Sequence, residues 1–211
     1  MHLAIVNLDI GARRPLAACT AEMALERVAG NRVCLYDTRQ LDEIVHRMAH
    51  KAAGLLTGHA DVLLVGIRRR GVPIAEMLRE RLGRDFGFGT IPLLELQIKR
   101  YADDLTLLHP ETALVENPAH ESLDLAGRTV MVVDDVMYQG HSMLRAIEWL
   151  ARKSPAEVRT VVLVDRDVAR LPVRTDIVGA RLDVAPGDII ECNVPPYEPA
   201  FRIDLCQPGK A

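Results

Sequence analysis

Thr129-Val130-Met131-Val132-Val133-Asp134-Asp135-Val136-Met137-Tyr138-Gln139-Gly140-His141-Ser142 is the stretch that decides the fold of this chain. An apolar run of strand length ends in two carboxylates, a short loop with one glycine follows, and residues 143–153 then repeat their apolar positions at helical spacing. Strand, loop and helix in that order predict a buried parallel strand whose end carries Asp134 and Asp135. Ligands of open α/β sheets bind at that edge. The loop opens a helix, so its backbone N–H groups and the positive end of the helix dipole face whatever binds there. A phosphorylated sugar fits this grammar, with the amides of Val136, Met137, Tyr138, Gln139, Gly140, His141 and Ser142 for the phosphate and the acids for ribose hydroxyls. A single acid at a strand end is often a helix cap or turn residue. Two adjacent acids repel unless a cation neutralises them, which favours the functional reading.

Working upstream, residues 61–67 form a second continuous apolar run, read as a central parallel strand, and it ends in Arg68-Arg69-Arg70-Gly71. Val72-Pro73 then starts a helix expected to reach Leu82, with proline in its favoured first turn. The same strand–loop–helix grammar places three arginines on the same edge of the sheet. Guanidinium groups match phosphate oxygens geometrically, so the loop reads as an anion site. Before it, Asp37 and Thr38 cap a helix whose Leu41, Ile44, Val45, Met48, Ala49, Ala52 and Leu55 recur on one face, ending near Gly54 or Gly58. His46 and His50 share this helix at metal-binding spacing, but without a further ligand motif they read as a solvated face. Strands are expected at 90–96, 159–164, 175–179 and 188–192, and Trp149 on the core side of the helix after the acids. The long polar segment after residue 96 reads as a functional lid. Pro195, Pro196 and Pro199 make the tail extended. The fold class is therefore α/β, an open and mostly parallel sheet flanked by helices. Residues 1–33, with a β-like run at 3–8 and a helix candidate at 20–28, form a small extension, and residues 34–211 the domain.

The chain has 211 residues, enough for one well-buried domain with a small appendage. Its net charge of −3 argues against a general nucleic-acid coat, though a local basic patch could still bind RNA. No apolar run approaches the ~20 residues of a membrane span, and the amino-terminal run lacks the basic flank and long apolar core of a signal peptide. Cys19, Cys34, Cys192 and Cys206 lack paired spacing and read as reduced thiols, so a cytoplasmic protein is expected.

Four blocks, taken in order, resemble type I phosphoribosyltransferases and among them the PyrR-type pyrimidine regulators that also act as uracil phosphoribosyltransferases. They are residues 36–50, including His50 in an Ala-His pair; Leu64-Val65-Gly66-Ile67-Arg68-Arg69-Arg70-Gly71, like the family's pyrophosphate loop; Tyr101-Ala102-Asp103-Asp104-Leu105, like its Tyr-Arg-Asp-Asp-Leu loop; and Leu163-Val164-Asp165-Arg166 with the residues up to Gly179. The resemblance implies transfer of phosphoribose from phosphoribosyl pyrophosphate to a nucleobase, uracil first. Mg²⁺ would be bound mainly through substrate beside Asp134 and Asp135. Asp103 and Asp104 join those two as catalytic candidates, and Arg100 closes over the site with the lid. Arg68, Arg69, Arg70 and Gly71 would receive pyrophosphate, and Asp165 and Arg166 would flank the base. It also implies a homo-oligomer, with the helix over 38–56 as a contact surface. Three departures bear on function: Gln139 and Ser142 replace threonines of the phosphate loop, Ala102 replaces an arginine of the lid, and Asp167-Val168-Ala169-Arg170 replace the family's Gly-His-Arg-Glu, the segment of an inherited RNA contact. Two alternatives stay open: a non-catalytic nucleotide sensor that binds RNA or a protein partner, and a transferase acting on a purine base.

Overall fold

The computed structural model describes residues 30–99, 113–115, 120, 123–185 and 187–208. The strand and helix expected at 3–8 and 20–28, and the lid residues Arg100, Tyr101, Ala102, Asp103 and Asp104, lie outside the described residues. Along the chain run β1 (Gly30–Tyr36), α1 (Thr38–Leu56), β2 (Val62–Ile67), α2 (Gly71–Phe86), β3 (Leu93–Lys99), β4 (Ala113–Val115), β5 (Thr129–Met137), α3 (His141–Ala151), β6 (Glu157–Asp165), β7 (Ile177–Arg181), β8 (Ile189–Asn193) and β9 (Arg202–Pro208).

Two sheets result. The larger is ordered β4-β3-β2-β5-β6-β7, and the smaller β1-β9-β8. In the larger sheet β3, β2, β5, β6 and β7 run parallel, and β4 adds one antiparallel edge strand. The smaller sheet is antiparallel throughout. β2 and β5 are buried along nearly their whole length, which is why their sequences read as continuous apolar runs rather than alternation.

The helices divide by direction of travel. The chain moves from β2 through α2 to β3 on one side, and from β5 through α3 to β6 on the other. Right-handed crossovers in opposite directions put α2 and α3 on opposite faces. α1 and α2 share a core with Met131, Val133, Leu163 and the small-sheet residues Ile190, Cys192 and Ile203. α3 contributes Met143, Ala146, Trp149 and Leu150 to a second core with Val130, Val132, Leu96 and Ile98. The reversal of strand order therefore falls between the adjacent strands β2 and β5. A crevice opens at the carboxyl ends of strands at such a point.

The expected elements shift at their ends for local reasons. α1 starts where expected: Asp37 accepts from the Gln40 N–H at 2.8 Å, and Gln40 returns the bond to the Asp37 N–H at 3.0 Å, a reciprocal capping box. α2 passes Leu82 and continues to Phe86, ending at Gly87, whose left-handed φ of 72° and N–H bond to the Leu82 carbonyl close the last turn. β3 begins only after Pro92, which cannot donate to the ladder. β4 carries no strand signal in the sequence, being three residues long and paired only to β3. The tail, expected to be merely extended, forms β9, the middle strand of the smaller sheet. The 33/34 division of the chain falls inside β1. Trp149 is in the core and His46 and His50 are exposed, as read from the sequence. Among the described residues no helix is long and apolar enough to cross a membrane.

Gly179 on β7 lets α1 lie close to the sheet. A Cβ there would meet the Leu163 carbonyl oxygen at 2.6 Å, Met48 Sδ at 2.8 Å and Ile44 Cγ2 at 2.9 Å. Gly179→Ala is expected to lower stability by about 1–3 kcal/mol, because backbone and helix must move apart to admit one methyl group. Chemical denaturation of the variant beside the parent protein measures it, and an unchanged midpoint would count against this packing.

Candidate functional site

The two loops at the strand reversal touch. Gly66 of β2 lies level with Val133 of β5, and the chain after β2 folds back over that position. A Cβ on Gly71 would sit 2.4 Å from the Val133 carbonyl oxygen and 3.1 Å from Asp134 Cα, so only glycine permits this approach. It brings the arginine loop beside the acids.

Asp134 and Asp135 are 3 % and 6 % exposed, deeply buried for carboxylates. The expectation that they end the strand is corrected: β5 continues through Val136 and Met137, because β6 keeps pairing with it at Val136↔Val164 and Met137↔Asp165. Strand alternation puts Asp135 on the face of Met131 and Val133, and Asp134 on the face of Val130 and Val132. Beyond the acids the alternation changes phase. Val136 packs with the α1–α2 core and Met137 with the α3 core. Asp135 and Val136, though consecutive, both line one cleft, while the Asp134 carboxylate accepts the Asp135 N–H at 2.9 Å.

That cleft has a volume of about 340 Å³ and is walled by Arg70, Asp135, Val136, Tyr138, Arg166, Gly187, Asp188, Ile189, Ile190 and Cys192. The expected site residues that meet there are Arg70, Asp135, Val136, Tyr138 and Arg166. The other wall comes from the segment 187–192, which carries no motif and was not foreseen as part of a site. Arg166 is 8 % exposed. Its guanidinium lies 4.7 Å from the centroid of the Tyr138 ring, one terminal nitrogen donates to the Asp188 carbonyl at 3.0 Å, and its buried Nε has no partner. A buried donor in that state is costly unless a ligand accepts from it.

The three arginines take different partners. Arg68 pairs with Glu95 at 2.9 Å, and Arg69 stacks over the Tyr197 ring at 5.2 Å. Arg70 bonds to Glu198 at 2.5 Å and stands 4.0 Å from Asp135. Burial works against the charge of Arg70, but the hydrogen bond to Glu198 and the attraction of Asp135 outweigh it and hold its pKa above the ordinary value. Asp165 turns its carboxylate to the Asp167 N–H at 2.9 Å within its own loop.

Beyond Tyr138 the loop turns through Gly140, whose φ of 92° is left-handed, into α3 at His141. The N-cap of this helix is Gly140, which has no side chain to cap the first turn, and that turn includes Ser142. The loop carbonyl of Gln139 accepts the Arg170 N–H at 3.2 Å, tying it to the segment after β6. Toward a metal, Asp135 and, one residue back, Asp134 would contribute carboxylate oxygens, and Asp188 also lines the cleft. Among the described residues no group of three or more His, Cys, Asp or Glu side chains forms a ready metal cage. Hard oxygen donors in this number suit Mg²⁺ that takes its other oxygens from a substrate.

Comparison with known proteins adds three findings. The model of the phosphoribosyl transferase domain matches residues 35–199. Curated relatives include the bifunctional protein PyrR of Haemophilus ducreyi, 31 % identical over 175 residues that cover 81 % of this chain and 94 % of that protein. The PyrR of Chloroflexus aurantiacus is 36 % identical over 151 residues, covering 71 % and 81 %. Among solved structures, a Trypanosoma cruzi hypoxanthine phosphoribosyltransferase in complex with its product IMP superimposes with a TM-score of 0.67 at 16 % identity, covering 85 % of this chain and 95 % of that one. At that identity the likeness concerns the fold alone.

Cys192 lines the cleft with its side chain buried, and burial together with the negative charge of Asp135 pushes its thiol well above the usual range. The thiol stays protonated and shielded, so alkylation at neutral pH should leave Cys192 unmodified while the exposed Cys34 reacts. Peptide mass mapping before and after denaturation reads both sites; rapid native labelling of Cys192 would contradict the placement.

Proposed function

This chain belongs to the phosphoribosyl transferase family, of the PyrR type, and is a pentosyltransferase; from that premise we propose that it moves phosphoribose from phosphoribosyl pyrophosphate to uracil. The observation that carries the reading is the convergence of Arg70, Asp135 and Arg166 on one cleft at the strand reversal. A cation, a buried carboxylate and a second guanidinium with an unpartnered N–H are what an anionic sugar donor and a carbonyl-bearing base need side by side.

In this reading the amides of the first turn of α3 and the Ser142 hydroxyl take the donor's 5′-phosphate. Asp135, and Asp134 behind it, hold the ribose hydroxyls. Arg70 offers its Nη1 side to the pyrophosphate. The base enters between Arg166 and the apolar wall of Ile189 and Ile190. A ring nitrogen of the base forms the new C–N bond as the C–O bond to pyrophosphate breaks, its N–H proton passes to the departing pyrophosphate or to water, and the anomeric carbon gains positive character between nucleophile and leaving group. The carboxylate of Asp135 favours that charge, and the cleft holds both partners in line. Mg²⁺, when bound through the donor's oxygens beside Asp135, supplies neutralisation of the departing charge. Gln139 in place of threonine leaves the backbone amides intact and changes only a side-chain donor. The reaction is set in the cytoplasm and in a homo-oligomer, with Asp103, Asp104 and Arg100 supplied by the lid.

Two measurements test this. A panel of free bases with phosphoribosyl pyrophosphate and Mg²⁺ should release pyrophosphate fastest with uracil; preference for a purine base would replace the acceptor, and no release with any base would end the reading. Asp135→Asn should abolish donor binding by calorimetry, a loss of at least about 2 kcal/mol for a buried charged contact. If that substitution alters only thermal stability, Asp135 is a structural acid.

A further inference from the structure

The turn at residues 194–198 folds back toward the arginine loop. The N–H groups of Tyr197 and Glu198 both reach the Val194 carbonyl, at 3.1 and 3.3 Å. The Val194 N–H in turn donates to Glu198 Oε2 at 2.8 Å. The carboxylate is therefore anchored by its own turn before it meets Arg70. Its Oε1 accepts from Arg70 Nη2 at 2.5 Å and from Nε at 3.2 Å. One residue earlier in each segment, the Arg69 guanidinium lies over the Tyr197 ring. Two consecutive arginines are clasped by two consecutive residues from the far end of the chain, so the contact joins the two sheets at the site.

The hold engages the Nε–Nη2 edge of Arg70, which sets the plane of the guanidinium. Nη1 is the nitrogen left on the side of Asp135, and it stands 4.0 Å from Oδ2, beyond hydrogen-bond length. We propose that Glu198 is a positioning residue for the donor site: it clamps Arg70 at a distance that keeps the guanidinium from closing onto Asp135, and it ties the arginine loop to the small sheet. This rests on the donor reading of the cleft given above. With the charge of Glu198 removed, the nearest carboxylate to Arg70 is Asp135, and the two draw together at the expense of ribose and pyrophosphate.

The test uses Glu198→Gln and Glu198→Asp in the full chain, with steady-state kinetics, calorimetry with phosphoribosyl pyrophosphate and amide hydrogen exchange. Glu198→Gln should raise donor KM and Kd roughly tenfold with kcat within about twofold. It should also quicken exchange in 68–71 together with 194–198. Glu198→Asp, which keeps the charge, should shift the same quantities less. If the Gln variant does not fold, the Asp variant is read alone, and an unchanged donor KM overturns the proposal. A fall in kcat at constant donor KM, or faster exchange confined to 194–198, overturns it as well. Absence of donor binding by the parent protein would instead sink the transferase reading. The clasp is then judged by exchange: coupled quickening of both segments upholds it, and uncoupled quickening removes it.

Discussion

Two adjacent carboxylates are buried in the middle of a parallel sheet, and much of the structure answers to that constraint. Burying an ionised carboxylate costs several kcal/mol unless hydrogen bonds and a counter-charge compensate. Asp134 receives a backbone N–H from Asp135, and Arg70 stands within 4.0 Å of Asp135. Arg70 reaches that place only because Gly71 permits the arginine loop to lie against the backbone of β5. The cation is then fixed by Glu198 from the smaller sheet. One unfavourable burial thus links the floor of the site, the loop beside it and the wall opposite.

The same arrangement explains why the site is placed where it is. Parallel strands expose their carboxyl ends to loops, and the reversal between β2 and β5 opens a crevice at that edge. The two loops that flank the crevice come from different βαβ units, so each can carry its own chemistry: cations on one side, acids and helix amides on the other. The smaller sheet closes the crevice from a third side. Its residues Ile190, Cys192 and Ile203 belong to the α1–α2 core, which seats it firmly against the larger sheet.

Much of this was legible from residues alone. The runs at 61–67 and 129–133 announce buried parallel strands because nothing but a two-faced burial tolerates continuous apolar sequence. The capping residues Asp37 and Thr38 and the spacing of Leu41, Ile44, Val45 and Met48 mark α1, since helix formation is governed by neighbours a few residues apart. The sequence places the end of α2 at Leu82 because Gly83 and the exposed Arg84 and Asp85 interrupt the pattern, although Phe86 continues the Leu78–Leu82 spacing and packs against the core. β1 and β9 left none either. Their exposed residues do not alternate cleanly, and their pairing joins Gly30 to Pro208 across almost the whole described chain.

By itself the sequence determined the α/β class, the central strands, the two loops at their ends and the acids and arginines those loops carry, for all of these follow from local periodicity, capping and turn chemistry. Tertiary structure alone decided which of those residues face one another. Asp135 enters the cleft and Asp134 lies behind it because successive strand residues face opposite sides of the sheet, and Val136 joins Asp135 in the cleft because the strand changes phase after it. Arg70 stands by the acid while Arg68 turns to Glu95 and Arg69 to Tyr197, because their partners lie on other elements. Cys192 and Glu198 join the site through antiparallel pairing of the carboxyl-terminal strands, a long-range contact that no local pattern encodes.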